Sequence, residues 1–413
     1  MALDILIEEL DGSLWVASVE DKIVRGLEVD PENELIRWGS IYWARVERID
    51  AALDAAWLNL DGENMALLSN ADTRFLQPGG AVKKGGAEPI GKFLKEGQMI
   101  AVQAKTGILP PPPEDQDDLP LEIKTTKVSM DITIQGRYMI YSPMSQENRL
   151  STRIRDKKLR RQLLKMLGAV DEIKGCILRA AAAYTQTDIL VREGKILSAM
   201  WSEMQEHLAG DDPALIMDGP DAIQRTISDH AGRLVGRIDV TTMDIYQHTE
   251  EWCELFAPDL VTKIEPVELE SRAAEELPLF DLRGIIDQIE NLFLPYALLP
   301  GGGNVIIQET AALIAIDVNR GADTQSNLGL NIEAVDVIAR QIRLRNLGGI
   351  IMIDALKMKN KKEQKNLLEA LQTAVDRDPC TVQIHGITNL GLIELTRKRR
   401  TPALHSRFMS ALD

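Results

Sequence analysis

Cysteine is scarce in this chain. Only Cys176, Cys253 and Cys380 occur among 413 residues, far apart and without a Cys-x-x-Cys pair. That pattern excludes a disulfide framework and a thiolate zinc site, and it fits a reducing compartment. Histidine is nearly as rare: His207, His230, His248, His385 and His405 form no paired motif, which argues against a histidine-based nuclease. No apolar run approaches the ~20 residues that span a bilayer. The opening residues, Met1 to Glu9, are acidic and their apolar run is too short for a signal peptide. These absences predict a cytoplasmic protein with no membrane partner.

What is present is ordinary in bulk and uneven in detail. Hydrophobic residues make up 45% and charged residues 27% of the chain, as in soluble globular proteins. A chain of 413 residues has room for several domains. The net charge of −16 argues at first against a nucleic-acid partner, because phosphate binding needs lysine and arginine. Distribution outweighs the total. Arg149, Arg153, Arg155, Lys157, Lys158, Arg160, Arg161 and Lys165 form one basic run, and Arg340, Arg343, Arg345 and Arg397-Lys398-Arg399-Arg400 add others. The acidic excess gathers between Glu250 and Glu276. A charge run is most often a solvated helix face, yet several basic runs around Asp317 and Asp354 are harder to dismiss as that alone.

Residues 3–28 read as short strands about an Asp11-Gly12 hairpin turn. Within 38–108, strands over Ile41–Ile49, Ala55–Leu60, Met65–Leu68 and Gly97–Lys105, with a long loop near 70–95, predict a small OB-type barrel. Such barrels stack bases on aromatics beside basic groups, and Trp43, Arg45, Trp57 and Lys105 could serve. A proline- and acid-rich surface loop follows at 109–120, then a strand and turn over 132–141. A basic helix near 152–167 carries Leu159, Leu163, Leu164 and Leu167 on one side. A strand at Cys176–Arg179, a helix over 186–208, and an acidic linker near 263–279 complete the middle of the chain.

The last domain, 280–404, reads most clearly. Val305–Gln308 and Ala312–Val318 form a hairpin, and a helix over Asn331–Asn346 puts Ile332, Val335, Ala339 and Ile342 on one face. Strand 349–353, a helix with Leu367, Leu368, Leu371 and Val375, and strand Thr381–His385 follow. This alternation predicts a layered α/β domain with parallel strand pairs. Asp317 and Asp354 each close an apolar run, and Lys357, Lys359, Lys361, Lys362 and Lys365 follow the second. Acids at strand ends suit a hard metal ion, and lysines beside them suit phosphate. Asn319, two residues on, can point with Asp317 and bond its carboxylate.

Ile316-Asp317-Val318-Asn319, Asn331-Ile332-Glu333-Ala334, the run from Ile338 to Asp354, and Leu395-Thr396-Arg397-Lys398-Arg399 resemble the catalytic domain of the ribonuclease E/G family. Leu279-Phe280-Asp281 with Gly284 and Asp287-Gln288-Ile289-Glu290 resembles its entry, and the stretch Asp131 to Tyr138 resembles its 5′-end sensor. The resemblance covers nearly the whole chain. It implies a ribonuclease-H-like fold split into 1–37 and 206–262, with the OB barrel (38–108) and sensor-like region (109–205) inserted. A linker (263–279), a deoxyribonuclease-I-like catalytic domain (280–404) and a short tail (405–413) would follow.

By the same resemblance, Asp317 and Asp354 bind one Mg²⁺ and Asn319 orients the first aspartate, making these the catalytic residues. Trp57 and Leu67 form an apolar shelf for RNA bases, and Arg179 belongs to a 5′-monophosphate pocket. With Lys105 and Arg153, these are the expected RNA contacts. Several positions differ from the family's usual residues: Ala311 for a glutamate, Lys357 for an acid, Thr125 for a glycine, Ala180 for a threonine and Thr381 for an arginine. The family's Cys-Pro-x-Cys zinc link and small dimerisation domain have no counterpart here, so no zinc is expected, and a homodimer would have to form otherwise. Two readings stay open. One is a Mg²⁺-dependent endoribonuclease for single-stranded RNA, acting in RNA processing or decay and leaving 5′-phosphate and 3′-hydroxyl ends. The other is a nuclease-derived RNA-binding scaffold that cleaves weakly or not at all.

Overall fold

The computed structural model describes residues 2–76, 82–110, 125–152, 154, 156–168, 174–269 and 277–405. The chain divides into two compact units. One comprises Asn33–Gly236 with Met243–Glu265; the other comprises Met1–Glu32, Arg237–Thr242 and Pro266–Asp413. Both are mixed α/β.

Period-two alternation builds the barrel of the first unit. Strands Ile41–Asp50, Ala55–Asn59, Met65–Ser69, Thr126–Ser129 and Met99–Ala104 pair in that order, and Met99–Ala104 returns to pair with Ile41–Asp50, closing a five-stranded barrel consistent with an OB-like domain. Ala44, Val46, Ala56, Leu58, Ala66, Leu68, Val102 and Val128 form a buried apolar core. The fifth strand, Thr126–Ser129, lies beyond the 38–108 stretch in which the strands were read. The loop near 70–95 holds a small hairpin, Arg74–Leu76 with Val82–Lys84, and Phe75 stacks on Phe93 with centroids 4.9 Å apart.

After the barrel, short strands Ile134–Gln135, Met139–Tyr141, Cys176–Leu178 and Arg149–Leu150 form a four-stranded sheet packed by helices Lys157–Leu167 and Thr187–His207. Asp156 caps the first helix by accepting from the Leu159 amide. The apolar face expected of this helix needs one correction. Leu163 is fully buried, but Leu164 is 56% exposed, because one residue further along a helix turns the side chain by ~100°.

In the other unit, Leu3–Leu10, Ser13–Glu20 and Ile23–Asp30 make an antiparallel meander. Asp11 and Gly12 both take positive φ, +48° and +69°, the geometry a two-residue hairpin turn requires. Trp15, Ala17 and Val29 of the meander share a core with Leu279, Phe280, Ile285 and Ile289. A six-stranded sheet follows, ordered Tyr296–Leu298, Asn304–Glu309, Ile314–Asn319, Gly349–Asp354, Ile393–Arg397, Val382–Ile387. The expectation of repeated parallel pairs is corrected here. Ile314–Asn319 and Gly349–Asp354 run parallel, joined by the crossover helix Asn327–Leu344, while the other neighbours in this sheet are antiparallel.

Helices Asn327–Leu344 and Lys361–Val375 cover one face of that sheet, packing Leu330, Ala334, Ile338, Leu367 and Leu371 onto Val305, Ile316, Val318, Ile351 and Ile353. Ser326 and Asn360 cap the two helices through bonds from the Gly329 and Glu363 amides. Val335, Ala339 and Ile342 are buried as expected, beside Leu330, Ala334 and Ile338, but Ile332, read as part of the same stripe, is 38% exposed.

The arginines counted toward a polyanion surface are also corrected. Arg340 and Arg343 donate to the Val24 and Arg25 carbonyls, tying the crossover helix to the meander. Arg345 is buried, donates to the Leu294 and Tyr296 carbonyls, and burial pulls its pKa down to about 10. Arg397 is buried against Asp378. Long cationic side chains near a helix end often serve backbone carbonyls rather than ligands.

Candidate active site

The face of the six-stranded sheet opposite the helices carries the predicted carboxylates. Alternation in Ile314–Asn319 sends Ile314, Ile316 and Val318 into the core and leaves Asp317 exposed. In Gly349–Asp354, Ile351 and Ile353 are buried and Asp354 is exposed. The parallel register makes Asp317 and Asp354 direct cross-strand partners, so their side chains leave neighbouring strands ~4.8 Å apart on one face. Asn319 donates from Nδ2 to Asp317 Oδ2 at 2.9 Å, the bond expected from the sequence.

Two like charges directly opposite each other destabilise a sheet. Neither carboxylate has a salt-bridge partner among the described residues. Uncompensated paired acids that solvent can reach form a hard-cation donor set. Among the described residues no group of three or more His, Cys, Asp or Glu gathers at a possible metal site. Two carboxylates suffice for an ion such as Mg²⁺, which keeps several of its waters.

The residues that brace the loops after this pair escaped sequence reasoning. Asn331, buried in the crossover helix, grips the loop after Asp354 by donating to the Leu356 carbonyl and accepting from the Leu356 amide. Asn327 donates to the Lys357 carbonyl. Arg320, just after Asn319, donates to the Asp323 and Gln325 carbonyls and to Asn327 Oδ1, bracing the loop that follows the first carboxylate. The available signal was an asparagine amid a buried helical stripe, where a polar group needs a partner. Lys357, Lys359, Lys361 and Lys362 are exposed beyond this braced loop.

On the barrel, Trp57 and Leu67 are direct cross-strand partners on the outer face, both half-buried. Their row extends to a cation at each end: Arg48 opposite Trp57, its guanidinium 5.9 Å from the ring centroid, and Lys127 opposite Leu67. Sequence reading had named neither cation, since only the register reveals the row. Lys105 is tied to both oxygens of Asp72 at 2.9 Å. Trp43 donates to the Gly210 carbonyl and Arg45 to Glu47. Arg153 lies outside the described residues.

Comparison with known proteins bears directly on this arrangement. The family model described as Ribonuclease E/G family matches residues 133–400, a span that includes the whole carboxylate-bearing sheet. The chain belongs to the ribonuclease E/G family. It is 29% identical to Ribonuclease G of Salmonella typhimurium (strain SL1344) over 415 aligned residues, covering 97% of this chain and 80% of that protein. Ribonuclease G of Escherichia coli (strain K12) is 28% identical with the same coverage. Ribonuclease E of Haemophilus influenzae is 29% identical over 402 residues, covering 95% of this chain but 41% of that longer protein.

Against this ribonuclease E/G background the surroundings of Arg179 are notable. Its guanidinium donates to the Gly136 and Ser228 carbonyls and to Asp229 Oδ1. Beneath it lies Glu193, 3% exposed, whose Oε1 accepts from the Tyr138 and Met139 amides. Glu193 Oε2 is buried without a hydrogen-bond partner. Burial pushes this carboxyl up to about 7, partly opposed by the two amide bonds and by Arg179 and Arg137. A Cβ at Gly136 would sit 2.2 Å from Glu193 Oε1, so any larger residue there would displace the buried carboxyl.

A folded-state pKa above the unfolded value means the native state holds the proton more tightly. Stability from Glu193 is therefore fully present below about 4.5 and lost as pH rises through about 7. Glu193→Gln keeps the acceptor for both amides. It is expected to flatten the fall in melting temperature between pH 5 and 8, read by thermal denaturation. Parallel profiles for the two proteins would contradict the assignment.

Proposed function

We propose that this chain is an endoribonuclease that cleaves single-stranded RNA during RNA processing or decay. The carrying observation is the parallel register that sets Asp317 and Asp354 side by side on the open sheet face, with Asn319 bonded to the first. Family membership supports the same reading. Asp317 and Asp354 would hold one Mg²⁺, with no zinc required. When bound, Mg²⁺ supplies a Lewis acid for the scissile phosphate and activates water.

The chain's own groups do the rest. Asn319, by bonding Oδ2 of Asp317, fixes that carboxylate's rotation. Asn331 and Asn327 hold the loop bearing Lys357 and Lys359, whose charges offset those of the RNA backbone. On the barrel, the row Arg48, Trp57, Leu67 and Lys127 offers a surface on which bases stack between two phosphate-binding cations. Water attacks phosphorus and the 3′-oxygen leaves, giving 3′-hydroxyl and 5′-phosphate ends.

Arg179, with its guanidinium taken up by Asp229 and two carbonyls, and with Ala180 beside it, is poorly placed to receive a 5′-phosphate. Oligonucleotides with 5′-monophosphate and 5′-hydroxyl ends are therefore expected to be cut at closely similar rates. The test is an end-labelled AU-rich single strand in Mg²⁺, with product termini identified by phosphatase and ligase treatment. Cleavage yielding 5′-phosphate products supports the nuclease reading. RNA binding without cleavage under any divalent ion would favour the scaffold.

A further inference from the structure

The carboxylate pair is half of a longer row. Register across four strands lines up Tyr296, Ile306, Asp317 and Asp354 on the face away from the helices. Tyr296 is 41% and Ile306 37% exposed, and Leu298, on the same edge strand, is 72% exposed. Edge strands that leave large apolar groups uncovered invite a partner. Tyr296 lies two strands from Asp317, about 10 Å along the sheet.

We propose that Tyr296, the cross-strand partner of Ile306, is a stacking platform for a base of the RNA one or two nucleotides from the scissile phosphate, and so a substrate-binding residue for cleavage. This rests on reading Asp317 and Asp354 as the cleavage site. Three observations favour RNA as the occupant. The apolar strip is continuous with the carboxylates in one cross-strand row, so a strand held there and running toward the sheet edge must cross it. The exposed lysines Lys357 and Lys359 follow Asp354, which puts the phosphate-binding charge on the carboxylate side and the base-binding ring on the other. Third, the edge strand is anchored from behind. Buried Arg345 donates to the Leu294 and Tyr296 carbonyls and is itself held by Gln341, so the backbone beneath the exposed ring is fixed. A ring on a fixed backbone loses little entropy on stacking.

Stacking is tolerant of base identity and is lost when the base is absent. The experiment uses the full chain and single-strand oligonucleotides with one cleavage position, each carrying an abasic unit at a different flanking nucleotide. Tyr296→Ala is expected to raise KM about tenfold with little change in kcat. Tyr296→Trp should restore native values. One abasic position should erase the difference between native and Tyr296→Ala, identifying the stacked nucleotide. A parallel arm needs no cleavage: RNA carrying 2-aminopurine at each flanking nucleotide in turn is bound to Asp317→Asn, and at one position adding Tyr296→Ala should remove both affinity and the fluorescence change of stacking. Equal affinity and fluorescence in that arm would overturn the platform while leaving the nuclease reading intact. A platform seen there beside an inactive native chain would instead overturn the nuclease reading alone.

Discussion

Asp354→Asn is expected to cut single-turnover cleavage by at least about a thousandfold while leaving the fold intact. The size follows from removing one of the two carboxylates proposed to hold the ion, since metal catalysis supplies several kcal/mol and each ~1.4 kcal/mol is tenfold in rate. Asp317→Asn should behave alike, because the two residues are register partners and neither can substitute for the other. Both changes relieve a like-charge contact on an exposed face, so the melting temperature without Mg²⁺ should hold or rise slightly. Asn319→Ala removes only the bond that orients Asp317, and about 10–100-fold is expected, with a higher Mg²⁺ requirement. The ordering is the test. An Asn319→Ala loss as large as that of Asp354→Asn would mean that the amide contacts substrate rather than positions a carboxylate.

Arg397→Met is expected to destabilise the unit that carries the site by about 3–5 kcal/mol, on the order of 10 °C in melting temperature. Arg397 and Asp378 are both buried, with Nε to Oδ2 at 2.8 Å and Nη2 to Oδ1 at 3.2 Å. The other terminal nitrogen donates to Asn346 Oδ1 and to the Leu347 carbonyl. Asn346 takes a left-handed backbone, φ +50°, and its own amide group reaches Thr401 and Pro402. One guanidinium therefore joins the end of the crossover helix, the strand to Asp354 and the chain near residue 401. Truncating it strands the Asp378 carboxylate in the interior, and that uncompensated charge is the main cost. Pairing the change with Asp378→Asn should recover part of the loss, measured by chemical denaturation. Additive losses would show that the ion pair is not the source.

Much of this was legible in the sequence where alternation and charge coincide. The Asp11-Gly12 turn, the barrel strands, the hairpin leading to Asp317 and the bond from Asn319 were all readable, because each depends on residues close in the chain. What escaped depended on partners far apart. The barrel's fifth strand, Thr126–Ser129, lies outside the stretch where the others alternate and is too short to announce itself. The row of Arg48, Trp57, Leu67 and Lys127 exists only once three strand pairings are known. Arg340, Arg343, Arg345 and Arg397 looked like polyanion contacts because composition cannot distinguish an arginine facing solvent from one serving a buried carbonyl. Asn331 stands in the run Asn331-Ile332-Glu333-Ala334, but its grip on Leu356 needed the fold.

The proposed cleavage turns on the two carboxylates acting through a divalent ion. Its most direct measurement is single-turnover cleavage of one single-stranded oligonucleotide across a Mg²⁺ titration, beside an EDTA control and Asp317→Asn. Cleavage should vanish in EDTA, return with excess Mg²⁺, and be absent in the variant, and Mg²⁺ should raise the melting temperature of the native chain alone. Cleavage that persists in EDTA, or that Asp317→Asn retains in full, would contradict it.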